Sequence, residues 1–160
     1  MLKLSKKIDY GLIALMHLAG AGSSSSWSAR EIAEKYDLPA GLLAKILQRL
    51  AHQGLVMSHH GTRGGYRLSR PASEITAAEV IEAIDGTVSL TQCFTDQGPC
   101  LQLERCSVKS PLQRINDRVL DMLSRLTIAQ MAEQESREWG SDPAQALPQS
   151  PAAVSLPVLR

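Results

Sequence analysis

Ser28-Ala-Arg-Glu31-Ile-Ala-Glu-Lys-Tyr-Asp37-Leu-Pro39-Ala-Gly-Leu-Leu-Ala-Lys45-Ile-Leu-Gln48-Arg49-Leu-Ala-His52-Gln-Gly54 is the stretch on which the fold turns. Ser28 and Glu31 form a capping box: the Ser oxygen accepts the Glu31 amide, and the Glu carboxylate reaches back to the Ser amide. That box predicts a short helix to about Tyr36. Asp37-Leu38-Pro39 is a turn, with Pro39 suited to the first position of a second helix over about Ala40 to Gln53. Leu43, Ile46 or Leu47, and Leu50 face inward on this helix, and Gly54 stops it. Its outward residues are Ala40, Gly41, Ala44, Lys45, Gln48, Arg49 and His52.

Beyond Gly54, Leu55–His59 and Gly65–Ser69 read as two strands around the glycine-containing turn His60-Gly-Thr-Arg63-Gly. Before Ser28, Ser5 to Ala19 reads as an amphipathic helix with Ile8, Leu12, Leu15 or Met16, and Ala19 on one face. Helix, capped helix, turn, helix and glycine hairpin, in that order, are the elements of a winged helix-turn-helix. The second helix of the pair can enter a major groove while the hairpin touches backbone or minor groove beside it. The fold expected is therefore mainly α, with a small β-hairpin wing. Lys45 and Gln48 have the reach and donors for base edges or phosphates, and Arg49 stands close by. Ser28 and Arg30 lie at a helix N-terminus suited to phosphate, and His59, His60 and Arg63 make a basic wing tip.

Charge agrees with this placement. The net charge of the 160 residues is only +1. Residues 1–70, however, carry ten Lys/Arg against four Asp/Glu and all four histidines, leaving +6, while the remainder carries −5. A basic front half points to a polyanionic partner. Lys3, Lys6 and Lys7 ahead of an apolar stretch imitate a signal peptide, but Asp9 and His17 interrupt it, so a cytoplasmic first helix is the reading taken. No apolar run approaches the roughly 20 residues of a membrane span. An enzyme is not expected, since the histidines gather in the reading head and wing and no phosphate loop or paired-carboxylate pocket appears.

Downstream, Thr76-Ala-Ala-Glu79 is a second capping box, for a helix ending at Asp85-Gly86. Ser110-Pro111-Leu-Gln113 reads as a third helix start. From it Leu112, Ile115, Val119, Met122, Leu126 and Ala129 recur as an a/d seam, with Leu120, Leu123 and Ile128 on a second apolar face. One face can pack on its own domain and the other on a twin, so a long dimerisation helix and a homodimer are expected. Pro143, Pro148, Pro151 and Pro157 fall among small and polar residues in the tail, which is expected to be disordered. The divisions are 1–87 for the DNA-binding domain, 88–107 for a loop, 108–135 for the dimerisation helix and 136–160 for the tail.

Cys93, Cys100 and Cys106 are the only cysteines, spaced C-x6-C-x5-C inside that loop. Three is too few and too odd a number for a secreted disulfide scaffold. Soft thiolates select zinc or iron–sulfur clusters. The close C-x2–4-C pair favoured by zinc is missing, which leaves a cluster, thiol–disulfide chemistry and a zinc-stabilised module as the readings. Three thiolates leave a cluster one ligand short; Asp9, supplied by a partner subunit, is the leading candidate, ahead of Glu104 and His17.

Several stretches together resemble the dimeric winged-helix iron–sulfur regulators typified by IscR and NsrR, and among them the subgroup regulating the SUF cluster-assembly system. They are the opening Met1-Leu-Lys-Leu-Ser-Lys-Lys-Ile-Asp9-Tyr-Gly, Gly54-Leu-Val through Gly64-Gly-Tyr66-Arg-Leu, Glu79-Val-Ile-Glu-Ala-Ile-Asp85-Gly, the three cysteines, and Leu112-Gln-Arg-Ile-Asn-Asp117 to Leu126-Thr. The resemblance covers about residues 1–132. It implies Cys93, Cys100 and Cys106 as cluster ligands, Asp9 as a carboxylate ligand of the NsrR-like kind, and a 2Fe-2S or 4Fe-4S cluster. Lys109 stands where IscR-like members place a ligating His, and Ala44 where they carry an acidic residue in the reading helix, so neither their site nor their targets carry over. The implied function is a homodimeric transcription regulator, a repressor of iron–sulfur assembly genes, with cluster state controlling affinity for a double-stranded DNA operator. The alternatives are a nitric-oxide- or redox-sensing repressor of the same family and a cluster-free disulfide switch.

Overall fold

A computed structural model describes residues 4–22, 25–59, 64–89 and 105–139. Helix α1 (Lys6–Gly20) follows Ser5 and buries Ile8, Gly11, Ala14, Leu15, His17 and Leu18. The buried face is thus rotated from the one expected: Leu12, Met16 and Ala19 only flank the core. The reason is tertiary. α1 packs at once against α3 (Ala40–His52), α4 (Ala77–Asp85), α6 (Ile128–Trp139) and strand β2 (Gly65–Leu68), and Gly11 leaves the side chain of Ile84 room to lie against its backbone.

Both halves of the reading head form as their local chemistry demands. In α2 (Ala29–Lys35) the Ser28 hydroxyl accepts from the Glu31 amide at 3.2 Å, and the Glu31 carboxylate accepts from the Ser28 amide at 2.7 Å. Asp37 turns the chain with φ of 51°, a left-handed conformation that short polar side chains tolerate. Helix α3 (Ala40–His52) begins at Ala40 as expected, with Pro39 at the cap instead of the first helical position; the Pro39 carbonyl accepts the Leu42 and Leu43 amides at 3.0 Å each. Leu43, Ile46, Leu47 and Leu50 are buried as their spacing required. Gly54, with φ of 73°, releases the chain into the wing.

The wing is β1 (Val56–His59) paired antiparallel with β2 (Gly65–Leu68), in the register Val56↔Leu68 to His59↔Gly65. Helix α4 (Ala77–Asp85) is capped by Thr76 and Glu79 and ended by Gly86 at φ of 88°. Fully buried Ile8, Leu15, Ile32, Leu47, Ile75 and Ile128 join these elements into one core.

The C-terminal region departs from expectation. The dimerisation helix drawn over 108–135 is two helices, α5 (Lys109–Arg125) and α6 (Ile128–Trp139), so the first four residues assigned to the disordered tail are helical. Ser110-Pro111 lies inside the first turn of α5 instead of capping it; Val108 occupies the cap position without a side-chain bond. The break follows from a capping box that the seam obscured. The Thr127 amide donates to Gln130 Oε1 at 3.0 Å, and the Gln130 amide donates to Thr127 Oγ1 at 3.2 Å. The extended Leu126-Thr127 also pairs with the segment ahead of α4: the Ala77 amide donates to the Leu126 carbonyl (2.8 Å), and the Ile128 amide to the Ile75 carbonyl (2.9 Å). Leu123 and Ile128 turn toward their own core, as the second face required. The a/d residues Ile115 and Met122 are left 51% and 60% exposed.

Candidate nucleic-acid interface and thiol site

Helix α3 presents Ala40, Gly41, Lys45, Gln48, Arg49 and His52 to solvent on the side opposite its buried leucines. A shallow cleft separates it from the wing, with Gln48 and His52 on one wall and Ser58 and Tyr66 on the other. Small residues at the entry of α3 and donors further along suit close approach to a duplex. His59 is exposed at the end of β1; His60 and Arg63 lie outside the described residues. Ser28 is committed to its cap, and Arg30 is exposed but paired with Glu34 at 2.7 Å. An exposed pair of this kind is worth little, so Arg30 can exchange Glu34 for a phosphate.

One feature of this surface escaped sequence reasoning. Trp27 adds a third extended segment to the wing: its amide donates to the Tyr66 carbonyl at 3.0 Å, and the Tyr66 amide donates to the Trp27 carbonyl at 2.8 Å. A single bridging residue carries no alternation that a pattern could reveal. Gly65 makes the approach possible, because a Cβ there would stand 2.6 Å from the Trp27 carbonyl carbon and oxygen and 2.9 Å from the Ser28 nitrogen. Backbone atoms cannot yield as a flexible side chain can. Gly65→Ala is therefore expected to displace the wing, lowering stability by about 1–3 kcal/mol and operator affinity by about tenfold. Urea unfolding and an operator titration check this; unchanged affinity would mean that the wing does not touch DNA.

His17, also a candidate ligand, is held among aromatic side chains. It is 8% exposed, and its ring stands edge to face with Trp27 (centroids 4.6 Å) and Tyr36 (5.6 Å). Its Nδ1 lies 3.2 Å from the Tyr36 hydroxyl and 3.3 Å from Lys35 Nζ. Burial, and then the Lys35 charge, push its pKa below the ordinary value of 6.5. The unfolded chain binds this proton more readily than the native one. Stability should therefore fall as pH drops below about 6.5 toward the lower native pKa. Chemical denaturation at pH 7.5 and 5.5 should show a larger loss for the wild type than for His17→Phe; equal losses would dismiss His17 as the cause.

Of the thiol site, Cys93, Cys100 and Glu104 lie outside the described residues. Cys106 is a partly buried free thiol three residues ahead of α5, and Lys109 is the first residue of that helix. Asp9 is exposed in the first turn of α1 and makes no ion pair among the described residues. No described helix is long and apolar enough to cross a membrane.

Comparison with known proteins gives the assembly its context. Residues 4–134 match the family model Rrf2, described as an iron-dependent transcriptional regulator. Protein aau3 of Rhizobium meliloti is 33% identical over 128 residues, covering 79% of this chain and 82% of its own length. The HTH-type transcriptional regulator IscR of Photorhabdus laumondii is 31% identical over 130 residues, covering 81% and 79%. Among solved structures, CymR, the global cysteine regulator of B. subtilis, superposes with a TM-score of 0.68 at 30% identity, covering 84% of this chain and 98% of CymR. IscR of T. potens superposes at 0.67 and 26% identity, covering 85% and 90%. The shared architecture is the mainly helical winged fold, and the relatives are regulators, not enzymes. A helix pair with a β-hairpin wing, and a match running on through the C-terminal helices, lead to one conclusion: this chain is a DNA-binding transcription regulator and belongs to the Rrf2 family.

Proposed function

We propose that the protein is a cytoplasmic, homodimeric repressor of iron–sulfur assembly genes whose operator affinity follows the state of an iron–sulfur cluster. The observation that carries this reading is the confinement of all three cysteines to residues 93–106 of a 160-residue regulator chain. Cys93, Cys100 and Cys106 would hold the cluster through thiolates, and Asp9 of the partner subunit would complete it with a carboxylate. The donor set fits: Cys106 carries a free, partly buried thiol just ahead of α5. Asp9 offers an exposed carboxylate that no described residue neutralises. When bound, the cluster supplies a link that iron scarcity, oxidants or nitric oxide can break. Holding that link would tie the loop before α5 to α1 of the partner subunit, and within each chain α1 packs directly on α3. A few kcal/mol of differential operator affinity between the two states suffices for a switch.

Anaerobically purified protein is expected to be brown, with iron and sulfide in cluster stoichiometry, and to change its operator shift on chelation. Asp9→Ala should alter the spectrum. Colourless protein holding one zinc per chain would dispose of the cluster.

A second reading, a cluster-free Cys93–Cys106 or Cys100–Cys106 disulfide switch, draws support from Lys109 in place of a ligating His and from a similar CymR of Staphylococcus aureus solved in an oxidized form. In that case iron-free protein would change operator affinity on oxidation and recover it with a thiol reductant.

A further inference from the structure

We propose that the cleft between α1, α2 and α6 is a binding site for a small carboxylate with an apolar body. The cleft has a volume of about 310 Å³, within the range of small-molecule sites. Its lining includes His17, Trp27, Lys35 and Tyr36 together with the apolar Met16 and Ala132. The polar part of the lining offers donors. Lys35 Nζ, which can only donate, stands 3.3 Å from His17 Nδ1, so Nδ1 accepts and the imidazole proton sits on Nε2. That Nε2–H and the indole Nε1–H of Trp27 are both buried without a hydrogen-bond partner among the described residues. Each such orphan is unfavourable to leave buried and calls for an acceptor that the described residues do not provide.

Two neutral N–H donors and one ammonium close to one another select an acceptor-only, negatively charged group, and a carboxylate meets all three demands. Phosphate would satisfy the same donors but leaves Met16 and Ala132 unused; an apolar body covers them. Both N–H groups are shielded from bulk water, and the two rings stand edge to face at 81°. Binding thus proceeds with rotation of the Trp27 and His17 rings toward the carboxylate. The backbone of Trp27 is bonded to Tyr66 of the wing, so such a rotation originates next to the DNA-reading surface.

The test needs neither DNA nor cluster, so its failure leaves the function proposed above untouched. Full-length ¹⁵N-labelled protein carrying Trp139→Phe retains Trp27 as its sole indole. Benzoate serves as the probe, with benzyl alcohol as its uncharged counterpart. The Trp27 indole N–H resonance is expected to move along one saturable curve with benzoate, and benzyl alcohol to bind at least about tenfold more weakly. Lys35→Met, at an exposed position, and His17→Phe should each weaken benzoate by about tenfold, the scale of one charge-assisted hydrogen bond. Three results would each overturn the site: no displacement of the indole resonance, equal binding of benzyl alcohol, or a benzoate midpoint unchanged in Lys35→Met.

Discussion

Ile115→Glu combined with Met122→Glu is expected to turn the protein into a folded monomer and to weaken operator binding by at least about 10²-fold. The two residues lie two helical turns apart on α5 and are 51% and 60% exposed in the single chain. Val108, just before the helix, is 53% exposed. Large apolar side chains left open along one face mark an interaction surface, which in the proposed homodimer takes a second copy of the chain. Charges at these positions cost the monomer almost nothing, because they stay in water there. In a dimer they would be desolvated without partners, at several kcal/mol. The operator effect follows from linkage: once one reading head is docked, its twin binds at an effective concentration that a monomer lacks. Sedimentation and an operator titration measure both. If the double variant still sediments as a dimer at micromolar concentration, the self-association surface lies elsewhere.

Lys45→Ala together with Arg63→Ala should reduce operator binding to the level of random DNA, while dimerisation and the proposed cluster's colour persist. Lys45 is exposed on the outward face of α3, clear of the buried Leu43, Ile46 and Leu47. Its loss therefore leaves the core untouched. Each base or phosphate contact is worth about 1–3 kcal/mol, and a symmetric dimer loses every contact twice. Removing phosphate contacts also flattens the dependence of log affinity on log salt by about one unit per contact. A weaker complex with an unaltered salt slope would point to base reading by Lys45. Wild-type binding by the double variant would move the DNA interface off α3 and the wing.

How much of this was legible in the chain can be judged element by element. The boxes at Ser28–Glu31 and Thr76–Glu79 were readable because every partner lies within one turn, so sequence spacing equals spatial spacing. The inward face of α3 was equally clear: four large aliphatic residues at helical spacing have one way to bury together. The same strength misled at the C-terminus. A continuous apolar seam concealed the Thr127–Gln130 box, because the chain leaves the helix there and Leu126 and Ile128 bond to Ala77 and Ile75, some fifty residues earlier. Heptad spacing carries no record of so distant a strand-like partner.

Local rules likewise treated His17 as an interruption in an apolar helix. Its neighbours Trp27, Lys35 and Tyr36 come from the next two segments of the chain and meet it only once α2 docks on α1. Short-range hydrogen bonding and side-chain periodicity thus settled the helices around the reading head, the wing strands and the outward-facing donors, because those forces act within a few residues. The wing's third segment, the split between α5 and α6 and the donor-lined cleft arose from contacts between distant stretches of chain. Their energy exists only after the backbone has closed around a common core.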